Sequence, residues 1–380
     1  MNWSDINISQ LPTPCYVINC DILKQNLMLM KKRCDLLGIK PLIAVKGFPL
    51  ALIFDVMSPY LNGASASSLF EAYLCRHLGK EIHIHAPAYK ANEINEVLLH
   101  CDHVVFNSIS QWEWGKNILN CSSKKVSPGL RINPEYSEID VDKYDPCMRY
   151  SRLGIKQDIL LNYDISGIEG FHLHVMYDQN AETFARIIDV VIKKFGKYLP
   201  QLTWINFGGG QQIVDSDYKI ELLKNPIYQL KHEFGIEVYI EPCESIVTNS
   251  GYLVSTVLDI VENEKRTAIL DTSAICHMPD VLETPYLPDI VFPAMKNTKE
   301  YVYTLAGVSC LAGDIIGEYA MDKPLQIGDK IIFSDMGAYT FAKENYFNGI
   351  NHPDIILYDQ NQGFQLVKRY NYNDYEKMYF

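Results

Sequence analysis

Three features of this sequence place reactive or ligand-binding groups directly after short apolar runs. The run PLIAV is followed by Lys46, the run LTWINF by the triplet Gly208–Gly210, and the run EVYI by Glu241. A lysine amine that is partly removed from water is a good nucleophile, and consecutive glycines leave backbone N–H groups open to a phosphate. A glutamate in a pocket can keep a heterocyclic nitrogen protonated. Taken singly, the same residues also fit a strand-end charge, a tight turn and a solvated carboxylate.

Two pairs of histidines have the spacing His-x-His. They are His83 and His85 in IHIHAP, and His172 and His174 in FHLHV. Residues two apart on a strand lie on one face, and an imidazole of the second pair could stack on an aromatic cofactor. The first pair raises a different possibility, a metal-dependent hydrolase whose ion is held by such histidines and a bridging lysine. That site would need an aspartate where this chain has Glu241, so the sequence predicts no metal.

The last third of the chain contains two further polar segments, GVSCLAGD at 307–314 and DMGAYTFAKENYFNGI at 335–350. Cys310 lies between small and polar neighbours rather than in an apolar run, and Asp314 follows it by four residues. Out of context a cysteine of this kind is structural. The pair is of catalytic interest only if it faces a site.

These groups act together only if the fold brings the ends of their runs to one place. The runs alternate with helical segments such as Ser67–Leu78 and Ala181–Lys194, in which apolar residues recur every three or four positions. Eight such units in about 220 residues predict a (β/α)8 barrel, whose active site lies at the C-terminal ends of its strands. No GxGxxG turn follows the first run, which disfavours a doubly wound sheet. The eight runs are Pro41–Gly47, Gly63–Ala66, Glu81–Pro87, His103–Ser108, Pro128–Asn133, Gly167–His174, Leu202–Gly210 and Glu237–Pro242.

The pattern changes after residue 250. Five strand-like runs follow with few helical segments between them, which predicts a mostly β second domain. They are YLVSTVLDIV, RTAILDTSA, YVYTLAGVSC, DKIIFSDMGAYT and FQLVKRYNY. The early run PCYVINC is expected to pair with them. The predicted domains are therefore a barrel over 22–253, and a β domain over 254–380 that includes a strand from 1–21.

Composition narrows the class of protein. The chain has 380 residues, 46 acidic against 34 basic, and a net charge of −12, which disfavours nucleic acid or an anionic membrane as a partner. No apolar run approaches the length of a membrane span, and the first residues lack the pattern of a secretory signal. Ten scattered cysteines without a CxxC pair suit reduced core residues. A cytoplasmic enzyme is expected.

Together these motifs resemble the fold-type III pyridoxal-phosphate enzymes, the group of alanine racemase and the ornithine and diaminopimelate decarboxylases. Within it the chain is most similar to decarboxylases of carboxynorspermidine and carboxyspermidine. The similarity runs through nearly the whole chain, in order. The segments that carry it are ASASSLFEA (64–72), PAYK (87–90), RYSRLGI (149–155), DTSAICHMPDVLETPY (271–286), GVSCLAGD (307–314) and FNGI (347–350). The resemblance implies an alanine-racemase-like fold, a barrel followed by a β domain.

The resemblance also implies roles for the residues of the barrel. The cofactor would be pyridoxal 5'-phosphate, bound covalently by Lys46, with its pyridine nitrogen paired to Glu241 so that the ring withdraws electrons. His174 would stack on the ring. The backbone of Gly208–Gly210 and the hydroxyl of Tyr339 would hold the phosphate.

The remaining roles come from the second domain and from a partner. By the arrangement of similar enzymes the chain would form a homodimer with active sites at the interface. Cys310 would reach in from the partner subunit and protonate the carbanion left by carbon dioxide, while Asp314 would bind the substrate. Glu283 would meet the substrate's distal amine, and Glu244 is a further substrate-binding candidate. The implied reaction yields norspermidine or spermidine, in polyamine biosynthesis.

Some positions depart from the wider group. The segment EPCES has Cys243 and Glu244 where ornithine-type relatives have glycine and a phosphate-binding arginine. The loss of that arginine weakens an ornithine or diaminopimelate assignment, which stays the alternative within the fold. A racemase would need a tyrosine acid–base in place of Cys310. The metal-dependent hydrolase is the alternative from another class. Carboxynorspermidine and carboxyspermidine differ by one methylene, a difference the sequence does not resolve.

Overall fold

The computed structural model describes Trp3, residues 8–293 and residues 300–380. The chain divides into two compact units, one formed by Asn26–Ile246 and the other by the residues up to Gln25 together with Val247–Phe380. The boundaries at 22 and 253 expected from the sequence stay a prediction.

The strands of both units are numbered in chain order. They are β1 (Cys15–Asn19), β2 (Ile39–Ala44), β3 (Gly63–Ala66), β4 (Glu81–His85), β5 (His103–Phe106), β6 (Ser127–Asn133), β7 (Ile155–Lys156), β8 (Gly170–His172), β9 (Trp204–Asn206), β10 (Glu237–Ile240), β11 (Gly251–Asn263), β12 (Lys265–Leu270), β13 (Ile290–Phe292), β14 (Tyr301–Ala306), β15 (Ile315–Met321), β16 (Lys330–Ser334), β17 (Asp354–Asp359) and β18 (Gly363–Lys368).

The helices are numbered in the same way, and 3₁₀ turns extend several of them. They are α1 (Cys20–Leu37), α2 (Phe54–Met57), α3 (Leu69–Cys75), α4 (Ile94–His100), α5 (Ile109–Cys121), α6 (Gln157–Leu160), α7 (Ala181–Phe195), α8 (Lys224–Tyr228), α9 (Glu244–Val247), α10 (Ala274–His277), α11 (Asp280–Glu283) and α12 (Tyr372–Glu376).

Local sequence explains where the barrel helices begin. The side chains of Ser68, Ser108 and Asn180 accept hydrogen bonds from backbone amides three residues ahead, at 3.2, 3.3 and 3.0 Å. Each therefore caps the first turn of α3, α5 or α7. Helix α7 then buries Phe184 and the other apolar residues of its inner face, as its period of three and four residues predicts.

Eight parallel strands of the Asn26–Ile246 unit close into a barrel, in the order β5-β4-β3-β2-β10-β9-β8-β6, with β5 also paired to β6. Every one of the eight strands expected from the sequence is present, and the predicted barrel is confirmed. The two-residue strand β7 pairs with the end of β6.

Trp204 shows why glycine occupies two of the barrel strands. A Cβ atom on Gly129 would lie 2.4 Å from the Trp204 ring, and one on Gly170 would lie 2.0 Å from it. The indole therefore fills the space that two side chains would take. Its Nε1 donates to Ser127 Oγ at 2.8 Å, so the buried polar atom has a partner.

The other unit is a mixed sheet of nine strands. Its main path runs β15-β14-β12-β11-β1-β17-β18, and β16 joins β11 to β13. The early run PCYVINC does enter this sheet, since β1 pairs antiparallel with β11 and parallel with β17. Strands β13, β15 and β17 were not expected from the sequence. Two apolar clusters form the core of this sheet, one on Tyr16 and Leu253, the other on Trp3 and Val17.

The helices in the described part of the chain include none long and apolar enough to cross a membrane.

Candidate active site

Lys46 lies two residues beyond the end of β2, at the C-terminal end of the barrel. Its side chain is only partly exposed. Burial lowers the pKa of its ammonium group, and the charge of Glu241 opposes that shift. Because a lowered pKa increases the fraction of neutral amine at neutral pH, Lys46 is suited to act as a nucleophile.

Glu241, directly after β10, is the buried carboxylate of the same barrel end. It is 1% exposed. Its Oε2 lies 3.3 Å from His85 Nε2, and its Oε1 accepts from Asn206 Nδ2 at 2.8 Å. Burial alone would raise the pKa of this carboxyl, but the neighbouring His85 holds it well below its usual range. Glu241 is therefore an ionised, buried acceptor.

At this end of the barrel, His172 packs against His85 and Glu241, whereas His174 contacts the glycine triplet. The rings of His85 and His172 stack at 4.3 Å between centroids, and His172 Nε2 lies 3.7 Å from Glu241 Oε1. Neither ring nitrogen of His172 has a hydrogen-bond partner among the described residues. His174 instead accepts a hydrogen bond at Nδ1 from the Gly209 amide, at 2.9 Å.

The glycine triplet after β9 is a loop that side chains would block. Gly208 and Gly210 have φ values of +66° and +100°, and a Cβ on them would lie 2.3 Å from His174 Nδ1 and 2.2 Å from the Met176 carbonyl. The amides of Gly208 and Gly209 already donate within the barrel, to Asn206 and His174. Of the three amides, the hydrogen bonds of the described residues leave that of Gly210 without an acceptor.

Asn206 and Gln211 belong to this network, although their pattern in the sequence did not single them out. Asn206 joins Glu241 to Gly208, and Gln211 Nε2 donates to the Gly208 carbonyl at 3.1 Å. Both side chains are buried. The available signal was their position on either side of the triplet, where a buried polar side chain must find partners.

The two histidines of the first pair lie in different clusters. His85 lies with Glu241, whereas His83 Nε2 is 3.3 Å from Glu81 Oε1, beside His103. The rings of His83 and His103 stack at 3.9 Å with 14° between their planes. The two histidines of the first pair therefore do not share one site. Each belongs to a separate group of three side chains whose ligand atoms lie within 4.8 Å of one another, one formed by Glu81, His83 and His103 and the other by His85, His172 and Glu241.

Cys310 lies in the β-sheet unit, in the turn between β14 and β15. It is exposed, and its backbone amide donates to Asn348 Oδ1 at 2.8 Å. Asp314, by contrast, is 2% exposed. Its oxygens accept from Ser273 Oγ at 2.8 Å, from the Ala274 amide at 2.7 Å and from the Ser309 amide at 3.2 Å. These contacts hold Asp314 against the segment Ser273–Ala274 and the turn of Cys310, and its expected role as a substrate ligand stays a prediction.

Three other candidates from the sequence are Glu283, Glu244 and Tyr339. Glu283, at the end of α11, is exposed and accepts from Lys343 Nζ at 2.9 Å. Glu244 begins α9 and is half-buried. Tyr339 is half-buried with φ at +58°, in the left-handed region that a tyrosine seldom adopts.

All ten cysteines are free, and seven of them are buried.

Comparison with known proteins places these features in one family. The family model described as pyridoxal-dependent decarboxylase, C-terminal sheet domain, matches residues 15–337. A carboxynorspermidine/carboxyspermidine decarboxylase of Campylobacter jejuni is 39% identical over 96% of this chain and 98% of its own length. A carboxyaminopropylagmatine decarboxylase of Synechocystis is also 39% identical, over 97% of this chain and 95% of its own.

The solved structures agree on the fold. The crystal structure of a Campylobacter jejuni carboxynorspermidine decarboxylase with norspermidine has a TM-score of 0.88 and 37% identity, covering 97% of this chain and all of that one. A diaminopimelate decarboxylase from Helicobacter pylori in complex with L-lysine has a TM-score of 0.82 at 18% identity, covering 97% of each chain. The second likeness is one of fold alone.

Proposed function

The chain belongs to the pyridoxal-dependent decarboxylase family, and we propose that it decarboxylates carboxynorspermidine and carboxyspermidine. The observation that carries this proposal is near-full-length similarity to enzymes of that name, at 39% identity in Campylobacter jejuni and 33% in Herminiimonas arsenicoxydans. Diaminopimelate decarboxylases are more distant, at 23% for the enzyme of Archaeoglobus fulgidus.

The residues of the barrel end fit pyridoxal phosphate. A primary amine with a lowered pKa, Lys46, can bond covalently to an aldehyde carbon. The buried, ionised Glu241 suits a protonated pyridine nitrogen. The side-chain-free loop Gly208–Gly210, in which a Cβ would meet neighbouring atoms at 2.2–2.6 Å, admits a phosphate close to the backbone. Together these groups provide contacts for the aldehyde carbon, the pyridine nitrogen and the phosphate of the cofactor.

When bound, pyridoxal phosphate supplies an electron sink for the electron pair that carbon dioxide leaves behind. The residues of the chain position the cofactor and supply the charge that its ring nitrogen needs. His174, which burial keeps neutral by lowering its pKa, presents a flat uncharged ring. Tyr339 and the Gly210 amide are the proposed phosphate ligands. Glu241 keeps the negative charge that a protonated ring nitrogen requires.

We also propose that the enzyme is a homodimer whose active sites lie at the interface. Cys310 of one protomer would then donate the proton that replaces the lost carboxylate. Its exposure supports this role, because a proton donor must be accessible to its acceptor. Asp314 would act on Cys310 indirectly, by holding the turn that carries it through Ser273, Ala274 and Ser309.

A mixing experiment tests the shared site. Lys46→Ala and Cys310→Ala each inactivate one contribution, and equal amounts of the two variants would form hybrid dimers with one intact site. Activity should return to about a quarter of the wild-type value, because half of the dimers are hybrid and each has one working site of two. A mixture as inactive as its components would show that both residues must come from one chain.

Substrate recognition is proposed to depend on carboxylates. A polyamine carries several ammonium groups, and the chain's net charge of −12 favours the approach of a cation. Glu283 and Glu244 are the proposed contacts for the distal amines. None of the ten cysteines forms a disulfide, which supports the cytoplasm as the proposed compartment.

A second candidate substrate is carboxyaminopropylagmatine, favoured by the equal identity of 39% to the Synechocystis enzyme of that name. The two differ at the far end, where agmatine has a planar guanidinium in place of an ammonium. A guanidinium binds best to a carboxylate that can accept two parallel hydrogen bonds. Competition between the two substrates at one enzyme concentration separates the candidates.

The deciding experiment measures carbon dioxide release and the mass of the amine product with each substrate, after the protein is loaded with pyridoxal phosphate. Diaminopimelate and ornithine complete the panel. Lys46→Ala should abolish turnover and the borohydride-reducible adduct. Lys31→Ala, at a surface lysine paired with Asp35, should preserve both. Turnover of diaminopimelate or ornithine alone would contradict the proposal.

A further inference from the structure

Asn206, the last residue of β9, is fully buried and uses both ends of its amide. Its Oδ1 accepts from the Gly208 amide at 2.9 Å, and its Nδ2 donates to Glu241 Oε1 at 2.8 Å. These partners fix the orientation of the amide, because a backbone N–H can only donate and an ionised carboxylate can only accept.

Gly208 is tied to Glu241 a second time. The Gly208 carbonyl accepts from the Glu241 amide at 2.8 Å. The first glycine of the loop and the carboxylate are thus linked through a backbone bond and through the Asn206 side chain. A displacement of either one must stretch both links.

We propose that Asn206 is a positioning residue that couples the glycine-rich loop to Glu241, and that this position requires an amide rather than a carboxylate. The inference rests on the proposed function, since it assigns the two coupled elements to the phosphate and the ring nitrogen of one cofactor. It adds a residue to the site that spacing in the sequence did not select.

An aspartate is the informative substitution because it has nearly the shape of asparagine. Asn206→Asp keeps an acceptor for the Gly208 amide but places a carboxylate against Glu241. Two carboxylates in contact share one proton, so Glu241 would no longer hold a full negative charge for the ring nitrogen. The charged or titratable groups that face Glu241 are unchanged by the substitution. They are His85 on β4, Arg131 on β6, His172 and His174 at the end of β8, and Lys46 after β2.

Asn107 provides a matched control. It is a buried asparagine just beyond β5, with Oδ1 accepting from the Gly154 amide at 2.9 Å and Nδ2 donating to the Arg152 carbonyl at 2.8 Å. Asn107→Asp therefore makes the same chemical change at another barrel strand end. Its Nδ2 donates to a carbonyl rather than to a carboxylate.

The first measurement is the affinity for pyridoxal phosphate, by absorbance titration from pH 6 to pH 9. The second is the ¹⁵N resonance of a ring-labelled cofactor, which reports whether the ring nitrogen is protonated. Asn206→Asp should weaken binding about tenfold or more and shift the resonance toward the unprotonated position. Asn107→Asp should leave the resonance at the wild-type position. Equal effects of the two variants on the resonance would overturn the inference.

A reciprocal exchange separates positioning from mere stability. In the double variant Asn206→Asp/Glu241→Gln the carboxylate and the amide change places, so the hydrogen bond between the two positions can re-form. Its melting temperature should exceed that of Asn206→Asp, while the ring nitrogen stays unprotonated for want of the Glu241 charge. A double variant no more stable than Asn206→Asp, or one that fails to fold as well, would overturn the inference.

The results that would contradict the proposed function differ from those that would contradict the role of Asn206. If the wild-type protein binds pyridoxal phosphate but releases no carbon dioxide from any substrate offered, the substrate assignment is wrong and the role of Asn206 is still measurable. If the wild type binds the cofactor and Asn206→Asp matches it in affinity and resonance, the role of Asn206 is wrong and the function is untouched.

Discussion

The backbone amide of Gly209 donates a hydrogen bond to His174 Nδ1 at 2.9 Å. This bond requires a lone pair on Nδ1, so the ring carries its proton on Nε2 and is neutral. Burial and the charge of Lys46 act in the same direction and hold the pKa of His174 well below its usual range. The loop thus determines the tautomer of the ring.

We expect His174→Phe to retain much of the cofactor affinity and His174→Ala to lose about tenfold, because a flat ring is preserved in the first variant only. Equilibrium dialysis against pyridoxal phosphate measures the difference. Neither variant should move the acidic limb of the profile of kcat/KM against pH, since His174 does not titrate there. A limb that disappears in His174→Phe would show that this imidazole does titrate in the working range.

The glycine loop makes a prediction with a matched control. Gly208→Ala would place a Cβ 2.3 Å from His174 Nδ1, whereas Gly79, at a similar φ of +68°, has no atom within 4 Å of its ideal Cβ. Both substitutions incur the left-handed backbone penalty of about 1 kcal/mol. Only Gly208→Ala should also reduce cofactor affinity, by about tenfold or more, as measured by absorbance titration. Equal losses of affinity would show that the backbone penalty alone is responsible.

Asp314→Asn tests whether this carboxylate holds the turn that carries Cys310. The amide can replace one accepting oxygen but not both, so a donor such as the Ser309 amide or Ser273 Oγ loses its partner. The free energy of unfolding should fall by about 1–3 kcal/mol, as measured by urea denaturation.

The same variant should change the rate at which Cys310 is alkylated by iodoacetamide. Cys121, exposed at the end of α5 in the other unit, serves as the internal standard for reagent reactivity. An unchanged ratio of the two alkylation rates, together with wild-type stability, would mean that Asp314 has another role.

We expect His277 to make the stability of the β-sheet unit sensitive to acid. Its Nδ1 lies 2.9 Å from Thr272 Oγ1 and its Nε2 3.0 Å from the Asn351 carbonyl, and burial lowers its pKa from 6.5 to about 4. Between these two values the unfolded chain binds more protons than the folded chain, so stability falls as the pH falls. The contribution of this group amounts to about 3 kcal/mol across the window.

Thermal unfolding from pH 7 to pH 4 measures this slope. His277→Gln should be less stable at pH 7 and lose less stability on acidification, because it removes the group that titrates. His232→Gln, at an exposed histidine, should follow the wild-type curve. A slope unchanged by His277→Gln would assign the acid sensitivity to other groups, such as His83, whose pKa is also lowered to about 4 by burial.

Much of the barrel was predictable from the sequence because one pattern, an apolar run followed by a helical segment, is repeated along it. Each buried parallel strand is an apolar run, and each polar residue at its end stands out against that run, as Lys46 and Glu241 do. Strand β15, in contrast, reads IIGEYAM, and its buried and open positions do not give a regular apolar run. β15 therefore differs too little from a loop when only neighbouring residues are considered. Strand β17, DIILYD, has six residues and does contain a short apolar run, so its sequence is compatible with a strand although none was expected there.

The hydrogen-bond network of the site was less predictable. Asn206 is part of the apolar-looking run WIN, and its importance depends on Glu241, 35 residues further along the chain. Asp314 is a second case. Its role as a substrate ligand was implied by the resemblance and stays a prediction, whereas its hydrogen bonds with the backbone amides of Ala274 and Ser309 could not be read from the sequence. Contacts between distant segments decide both cases, and spacing along the chain does not encode them.

Strand β4 carries Glu81, His83 and His85 on one face, and through them it contributes to two separate polar clusters. Side chains alternate along a strand, so one inserted or deleted residue before Glu81 would turn all three toward the surrounding helices. This segment can therefore evolve by substitution but not by changes in length. A misaligned pairing of β4 during folding would also bury none of its polar groups correctly, which makes the native register the only one that both clusters stabilise.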